Sequence, residues 1–265
     1  MKKYWLIIKN EIQRQFTHRA NIIAYGFGNI AELVILVVIW TAVFKNADMI
    51  RGYTRVEMIS YVIFAWFFAY LTTNYSFEQN IAIDIHLGML SNFLVKPLSY
   101  VKYVIAVTIG RVAIALLVVI LSGFLVIYFF QQGLILSSQV GTILLLAVML
   151  IIAFFINLMV AIIIGFISFW TTEISGIQYS IKMFIRLLSG VFFPLNLLPA
   201  LFAKISLASP FAYTVFIPVQ LYLGKISFAE GLRGLAIELL WLVILYGIIK
   251  VVWRLGLKRY ESVGI

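Results

Sequence analysis

Long apolar runs separated by short polar stretches organise this chain. They cover 21–44, 56–77, 104–130, 142–170 and 232–253, with a shorter one over 183–199. A helix rises 1.5 Å per residue, so about twenty apolar residues cross a hydrocarbon core about 30 Å thick. The pattern predicts an all-α membrane protein: six transmembrane helices in a single transmembrane domain spanning 1–265. Ahead of the first run, Trp5, Ile8, Ile12 and Phe16 recur at i, i+3, i+7 and i+11. Lys2, Lys3, Lys9, Gln13 and Arg14 are mostly opposite. This predicts an amphipathic elbow helix over 1–20, lying on the membrane surface with its cations toward lipid headgroups.

The connections differ in kind. Residues 45–55, 131–141 and 171–182 are short. The stretch 84–99 is longer and patterned: Leu87, Leu90 and Leu94 stand at i, i+3 and i+7, Asp84, Gly88 and Ser91 form a small polar face, and Pro97 stops the run. It predicts a short amphipathic helix in the interface plane. Residues 200–231 are apolar but interrupted by Pro210, Pro218 and Gly224. Irregular backbone at membrane depth is tolerated only against protein or a wet cavity, so short helices dipping into the outer leaflet are expected over 200–222.

Composition agrees with the pattern. Of 265 residues, 64% are apolar and 11% charged, and the mean hydropathy is +1.08; soluble domains are about half apolar and a quarter charged. The net charge of +10 reads as membrane topology rather than nucleic-acid binding, because the cations flank the apolar runs. With six spans, thirteen Lys and Arg fall on the side of the two termini and six on the other. The positive-inside bias places both termini and 78–103 in the cytoplasm of a cell inner membrane. No cleavable signal pattern is expected at the N-terminus. Cysteine is absent, which removes disulfides, thiolate metal sites and cysteine nucleophiles.

Candidate chemistry is sparse. There is no G-x-x-x-x-G-K-[ST] phosphate loop. His18 and His86 are outside the spans and unpaired, so no metal site is expected. No nucleophile, base and orienter fall together, and an enzyme is not expected. Intramembrane charge is the better pointer, since a charge at the bilayer centre costs about 3 kcal/mol or more. Glu32 and Glu238 lie in the first and sixth spans and Arg111 in the third. Comparison of depths pairs Arg111 with Glu32 or Glu78. Thr72, Thr73, Asn74 and Asn157 either line a path or bond neighbouring helices.

The run Ile85-His86-x-Gly88-x-Leu90-Ser91-x-x-Leu94-x-Lys96-Pro97-Leu98-Ser99 resembles the cytoplasmic segment of ABC-2 type permeases bearing a G-x-L-S-x-x-L-x-[RK]-P signature. It departs at His86, where arginine is commoner. Ser189-Gly190-Val191-Phe192-Phe193-Pro194-Leu195-x-x-Leu198-Pro199 is similar to that branch's fifth-span ending. Pro210-Phe211, Pro218-x-x-x-Tyr222-x-Gly224 and Lys258-Arg259-Tyr260 also fit. The resemblance implies the membrane subunit of an ABC exporter with a type V exporter-like fold. A second permease, identical or paralogous, would complete the path. Separate ABC ATP-binding subunits would carry ATP and Mg, and this chain would bind no cofactor and no nucleic acid. Asp84, His86, Gly88, Leu90, Ser91, Leu94, Lys96 and Pro97 would form the coupling helix docking on an ATPase, and 200–222 the re-entrant outer helices. The apolar, aromatic spans favour a lipid-like or amphipathic solute. Two other readings remain open: an ATP-independent transporter or channel using Glu32, Arg111 and Glu238 as a relay, and a scaffold without transport.

Overall fold

The computed structural model describes residues 2–17, 19–72, 77–95, 99–130, 134–135, 139–173 and 175–260; within them, the side chains at 2, 16, 17, 19–27, 29, 77, 94 and parts of 114–130 are outside the description. His18, Thr73, Asn74, Lys96 and Pro97, singled out above, lie outside the described residues. Twelve α-helices are described: α1 Lys2–Thr17, α2 Arg19–Val43, α3 Arg55–Thr72, α4 Phe77–His86, α5 Ser91–Leu94, α6 Tyr100–Phe130, α7 Val140–Phe166, α8 Ser175–Ser189, α9 Ala200–Ala208, α10 Phe211–Thr214, α11 Phe216–Tyr222 and α12 Phe228–Leu257. A two-stranded antiparallel hairpin, β1 Met49–Ile50 and β2 Tyr53–Thr54, joins α2 to α3. Its turn needs positive φ at both central residues, supplied by Arg51 (φ 44°) and Gly52 (φ 85°).

Among the described residues, three helices are long and apolar enough to cross a membrane: Arg55–Thr72, Val140–Phe169 (α7 with the 3-10 turn after it) and Phe228–Leu257. The pair Ala200–Ala208 and Phe211–Tyr222 bends by 79° and raises the number to four if it counts as one span. Two of these helices start with side chains that answer their first free N–H groups. Glu57 Oε2 accepts from Thr54 N while Thr54 Oγ1 accepts from Glu57 N, and Ser227 and Glu230 form the same reciprocal box ahead of α12.

The apolar run over 183–199 is not one helix. α8 ends at Ser189, and 15 residues rise only about 22 Å. Gly190 adopts φ +80°, which a side chain would strain. Pro194 is extended at φ −59°, ψ 136°, ahead of a 3-10 turn over Leu195–Leu197. Hydropathy alone did not register that break, because Val191, Phe192 and Phe193 keep the run apolar through the turn.

α7 is the central post, and α12 runs beside it in the same direction: Phe228 lies beside Gly141 at one end and Phe169 beside Gly256 at the other. The molecule has a distinct core towards each end. At the hairpin end, Tyr61, Val62, Phe64, Ala65 and Trp66 of α3 pack with Val191, Leu195, Val215, Phe216 and Val219. At the other end, Ile81 and Ile85 of α4 pack with Tyr100, Val104, Ile162, Phe166, Phe169 and Ile249.

Candidate functional site

The segment from Asp84 to Val95 sits at the second of these ends and is not a continuous helix. α4 stops at His86, Leu87 to Leu90 form turns, and α5 has four residues. The stop is set by Gly88, whose φ of +71° lies in the left-handed region that favours glycine. Leu90 N–H then returns to Asp84 O at 3.0 Å, satisfying a carbonyl the helix end would leave open. The periodicity of leucines hid this break, since Leu87 and Leu90 also suit a continuous helix. Gly88 thus serves the bend of the chain.

Each part of the segment is tied to a different stretch of the chain. Tyr100 of α6 donates to Asp84 Oδ2 at 2.7 Å. Burial pushes the Asp84 carboxyl above its ordinary range, and the Tyr100 hydroxyl opposes that shift in part. His86 Nε2 faces two carbonyls, Ser168 O at 3.1 Å and Thr171 O at 2.9 Å. Carbonyls only accept, so this nitrogen carries the proton. Ser91 Oγ donates to Gly88 O at 2.6 Å, and Ser91 N–H donates to the Tyr260 hydroxyl at 3.1 Å. Ser99 N–H reaches the Tyr4 hydroxyl of α1 at 3.3 Å. Beneath them, Tyr100 stacks on Trp253 of α12 with centroids 5.7 Å apart, and Phe93 contacts Tyr100 and Tyr103.

Burial divides the segment in two. Leu90 is fully buried, whereas Leu87, Met89 and Val95 are 60%, 43% and 82% exposed. A rigid aromatic base therefore carries an apolar, uncovered crest. The side chain of Leu94 and all of Lys96 and Pro97 lie outside the described residues.

The charged residues pair differently from the depth argument. Arg111 Nε donates to Glu11 Oε1 of α1 at 2.8 Å, and neither Glu32 nor Glu78 takes it. Arg14 and Gln15 donate to the same oxygen, each at 2.9 Å. With the Asn80 amide oriented to satisfy both groups, its oxygen accepts from Arg111 Nη2 at 3.0 Å. Burial works to raise the Glu11 carboxyl, but the hydrogen bonds from Arg14, Arg111 and Gln15 outweigh it and hold it below its ordinary range. Depth was a poor guide because the azimuth of α6 decides the partner. Neighbouring Gly110 lies so close to α1 that a Cβ there would sit 2.9 Å from Ile8 O and 2.8 Å from Glu11 Cβ.

Glu32 instead pairs with Arg186 of α8 and accepts from the Tyr70 hydroxyl at 2.9 Å. Glu78 pairs with Lys182 and accepts from Gln178, both on α8. Asn157 donates to Thr72 Oγ1 at 3.2 Å, joining α7 to α3. Glu238 is fully buried on α12, and neither of its oxygens has a partner among the described residues. It stands one turn beyond Gly234, which meets Ile217 and Met149.

Glu11, Lys182, Arg186 and Tyr100 make these contacts without having been singled out in the sequence, and Tyr260 entered there only as part of the tail motif. The signal for α8 was available. Gln178, Lys182 and Arg186 recur at i, i+4 and i+8, one face of a helix, although 171–182 reads as a plain connection.

The hairpin end closes on itself. Tyr53, 2% exposed, is its centre: Asn196 Nδ2 donates to its hydroxyl at 3.1 Å and Gln220 Nε2 donates to it as well. Lys225 pairs with Glu57, donates to Gly52 O at 3.1 Å and lies over the Tyr53 ring. Tyr61 donates to Gly190 O at 2.7 Å and Trp40 to Phe192 O at 3.0 Å.

Residues 30–264 fit the model of a family described as ABC-2 family transporter protein. No curated protein matches the chain.

Proposed function

From the premise that the chain belongs to the ABC-2 family of transporter membrane proteins, we propose that it is the permease subunit of an ATP-driven exporter. That family typically lacks a catalytic ATPase domain, in keeping with the missing phosphate loop. In this reading the chain crosses the membrane six times, keeps both termini in the cytoplasm and forms the path with a second permease, identical or paralogous. Separate ATP-binding subunits, carrying ATP and Mg, drive it.

Several features support the reading. α2 and α6, of 25 and 31 residues, are long enough to span beside α3, α7 and α12. The shared direction of α7 and α12 fits a fourth and a sixth crossing. α8 and the chain to Pro199 supply the fifth, and the 79° bend between Ala200–Ala208 and Phe211–Tyr222 suits re-entrant outer helices. α1 runs along the start of α6, with Tyr4 at Ser99 and Ile8 and Glu11 at Gly110. The ion pairs argue against an ATP-independent relay. Arg111 is engaged by α1 and Glu32 by α8, so the two do not pass charge to each other.

The observation that carries the reading is the crest of Leu87, Met89 and Val95 on its anchored base. An apolar crest tied to α6, to the chain after α7 and to the chain after α12 suits transmission of a push: when ATP closes the partner subunits, the crest moves and α4 and α6 move with it as a rigid body. The experiment is purification of the chain from its native membrane in mild detergent. A P-loop ATPase is expected to accompany it and to be lost on Leu87→Asp. Retention of the ATPase by that variant contradicts docking at the crest, and an isolated chain that transports down an ion gradient contradicts ATP drive.

A further inference from the structure

The cluster on α8 has chemistry that docking does not use. Glu78 Oε1 takes both Lys182 Nζ and Gln178 Nε2. Glu78 Oε2 and Gln178 Oε1 are buried and have no donor among the described residues. Buried acceptors are ordinarily satisfied, and these two are left without donors among the described residues. Lys182 is 32% exposed while Glu78 is fully buried. The lysine therefore reaches the carboxylate from a side open to the surroundings, on a flexible four-carbon stem whose ammonium hydrates readily.

We propose that Glu78 and Gln178 form a binding site for the protonated primary amine of an amphipathic solute, and that Lys182 occupies it as an internal stand-in while the solute is absent. Three acceptors belong to this corner, Glu78 Oε1, Glu78 Oε2 and Gln178 Oε1, and an alkylammonium brings three donors. The ligand must carry positive charge, because a displaced lysine otherwise leaves Glu78 buried and unpaired. The exchange is neutral: one ammonium enters, another swings into water, and Glu78 stays compensated throughout. An apolar tail extends outward past Lys182, the exposed side of this corner. Arg186, one turn beyond Lys182, remains on Glu32 and does not compete. The site's role as a cargo site rests on the permease reading; binding itself does not.

The test uses the full chain, with any subunits that co-purify, in phosphatidylcholine nanodiscs, titrated with dodecylamine while intrinsic fluorescence is followed. Saturable binding is expected, about tenfold tighter than for dodecyltrimethylammonium, which has the charge without N–H donors, or for dodecanol, which has a donor without the charge. Glu78→Gln weakens dodecylamine about tenfold and Gln178→Met less, whereas Lys182→Met tightens it by removing the competitor. Equal affinity for the three amphiphiles means bilayer partitioning and overturns the proposal. So does weaker dodecylamine binding in Lys182→Met. Should Glu78→Gln fail to fold, Gln178→Met and Lys182→Met decide by their opposite signs. The readout needs no ATPase: its failure leaves the permease reading intact, and loss of the ATPase partner leaves the amine site intact.

Discussion

The two ends of the molecule handle their exposed chain in opposite ways. At the hairpin end, Tyr53, Asn196, Gln220, Lys225 and Glu57 satisfy one another, and the broken helices over 200–222 fold back onto α3 and α7. At the other end, hydrogen bonds tie the Asp84 side chain to Tyr100, Ser91 N–H to Tyr260 and the His86 side chain to the carbonyls of Ser168 and Thr171, and Leu87, Met89 and Val95 are left uncovered. The hairpin end satisfies its polar groups with its own side chains and leaves Met49, Leu201 and Phe202 exposed. The other end carries its uncovered apolar residues on a base of inward hydrogen bonds, the arrangement on which the proposed docking rests.

The largest expected effect breaks the rigid base. At Gly165 of α7 a Cβ would sit 2.8 Å from Ile81 Cβ, so Gly165→Leu forces α4 away from α7 and should cost about 3 kcal/mol or more. Thermal unfolding should fall sharply and the ATPase should no longer be retained. Next, Leu87→Asp together with Met89→Asp should leave unfolding unchanged and weaken association with the ATPase about thirtyfold, roughly 2 kcal/mol, read by titration of the purified subunits. Stability and association thus separate at the crest and fall together at the base.

A smaller effect concerns the elbow. Glu11→Gln should loosen α1 from α6 by about 1–2 kcal/mol, measured as amide exchange across residues 4–15. The same contact depends on pH. The Glu11 carboxyl is held below the ordinary value of 4.5, so its contribution is present above that value and is lost as pH falls through the lower one. Asp84 has the opposite sign: its carboxyl is raised above 3.8, so its contribution is present below that value and declines as pH rises through the raised one. Acidification should therefore release α1 while the Asp84 turn stays held, and loosening of both on acidification contradicts the assignment. The smallest effect is at the hairpin end. Tyr53→Phe removes one shared hydroxyl, should cost about 1 kcal/mol, and should leave ATPase association untouched.

What could be read from sequence follows from which forces are local. Apolar runs report burial in lipid or protein directly, so the helical character of α2, α3, α6, α7 and α12 shows in hydropathy. Breaks are harder to see: Gly88 and Gly190 end helices through positive φ while the surrounding residues remain apolar. Ion pairs are harder still, because a partner is chosen by the rotation of each helix about its axis. Arg111 and Glu32 lie at compatible depths yet face α1 and α8 respectively. Glu11 escaped notice because the elbow was judged by its apolar stripe and its cations. The anchoring tyrosines, Tyr4, Tyr100 and Tyr260, are separated widely in sequence from Ser99, Asp84 and Ser91 or lie across a turn from them, and no periodicity announces such contacts.

The central claim is that the crest at 87–95 meets an ATP-hydrolysing partner. The chain has no cysteine, so Leu87→Cys introduces one thiol, which can be coupled to a short photoactivatable cross-linker in native membranes. The account predicts a single cross-linked product with a P-loop ATPase, formed in a yield that changes when ATP is added with Mg. Cross-linking to lipid alone, with the ATPase present and unlabelled, contradicts it.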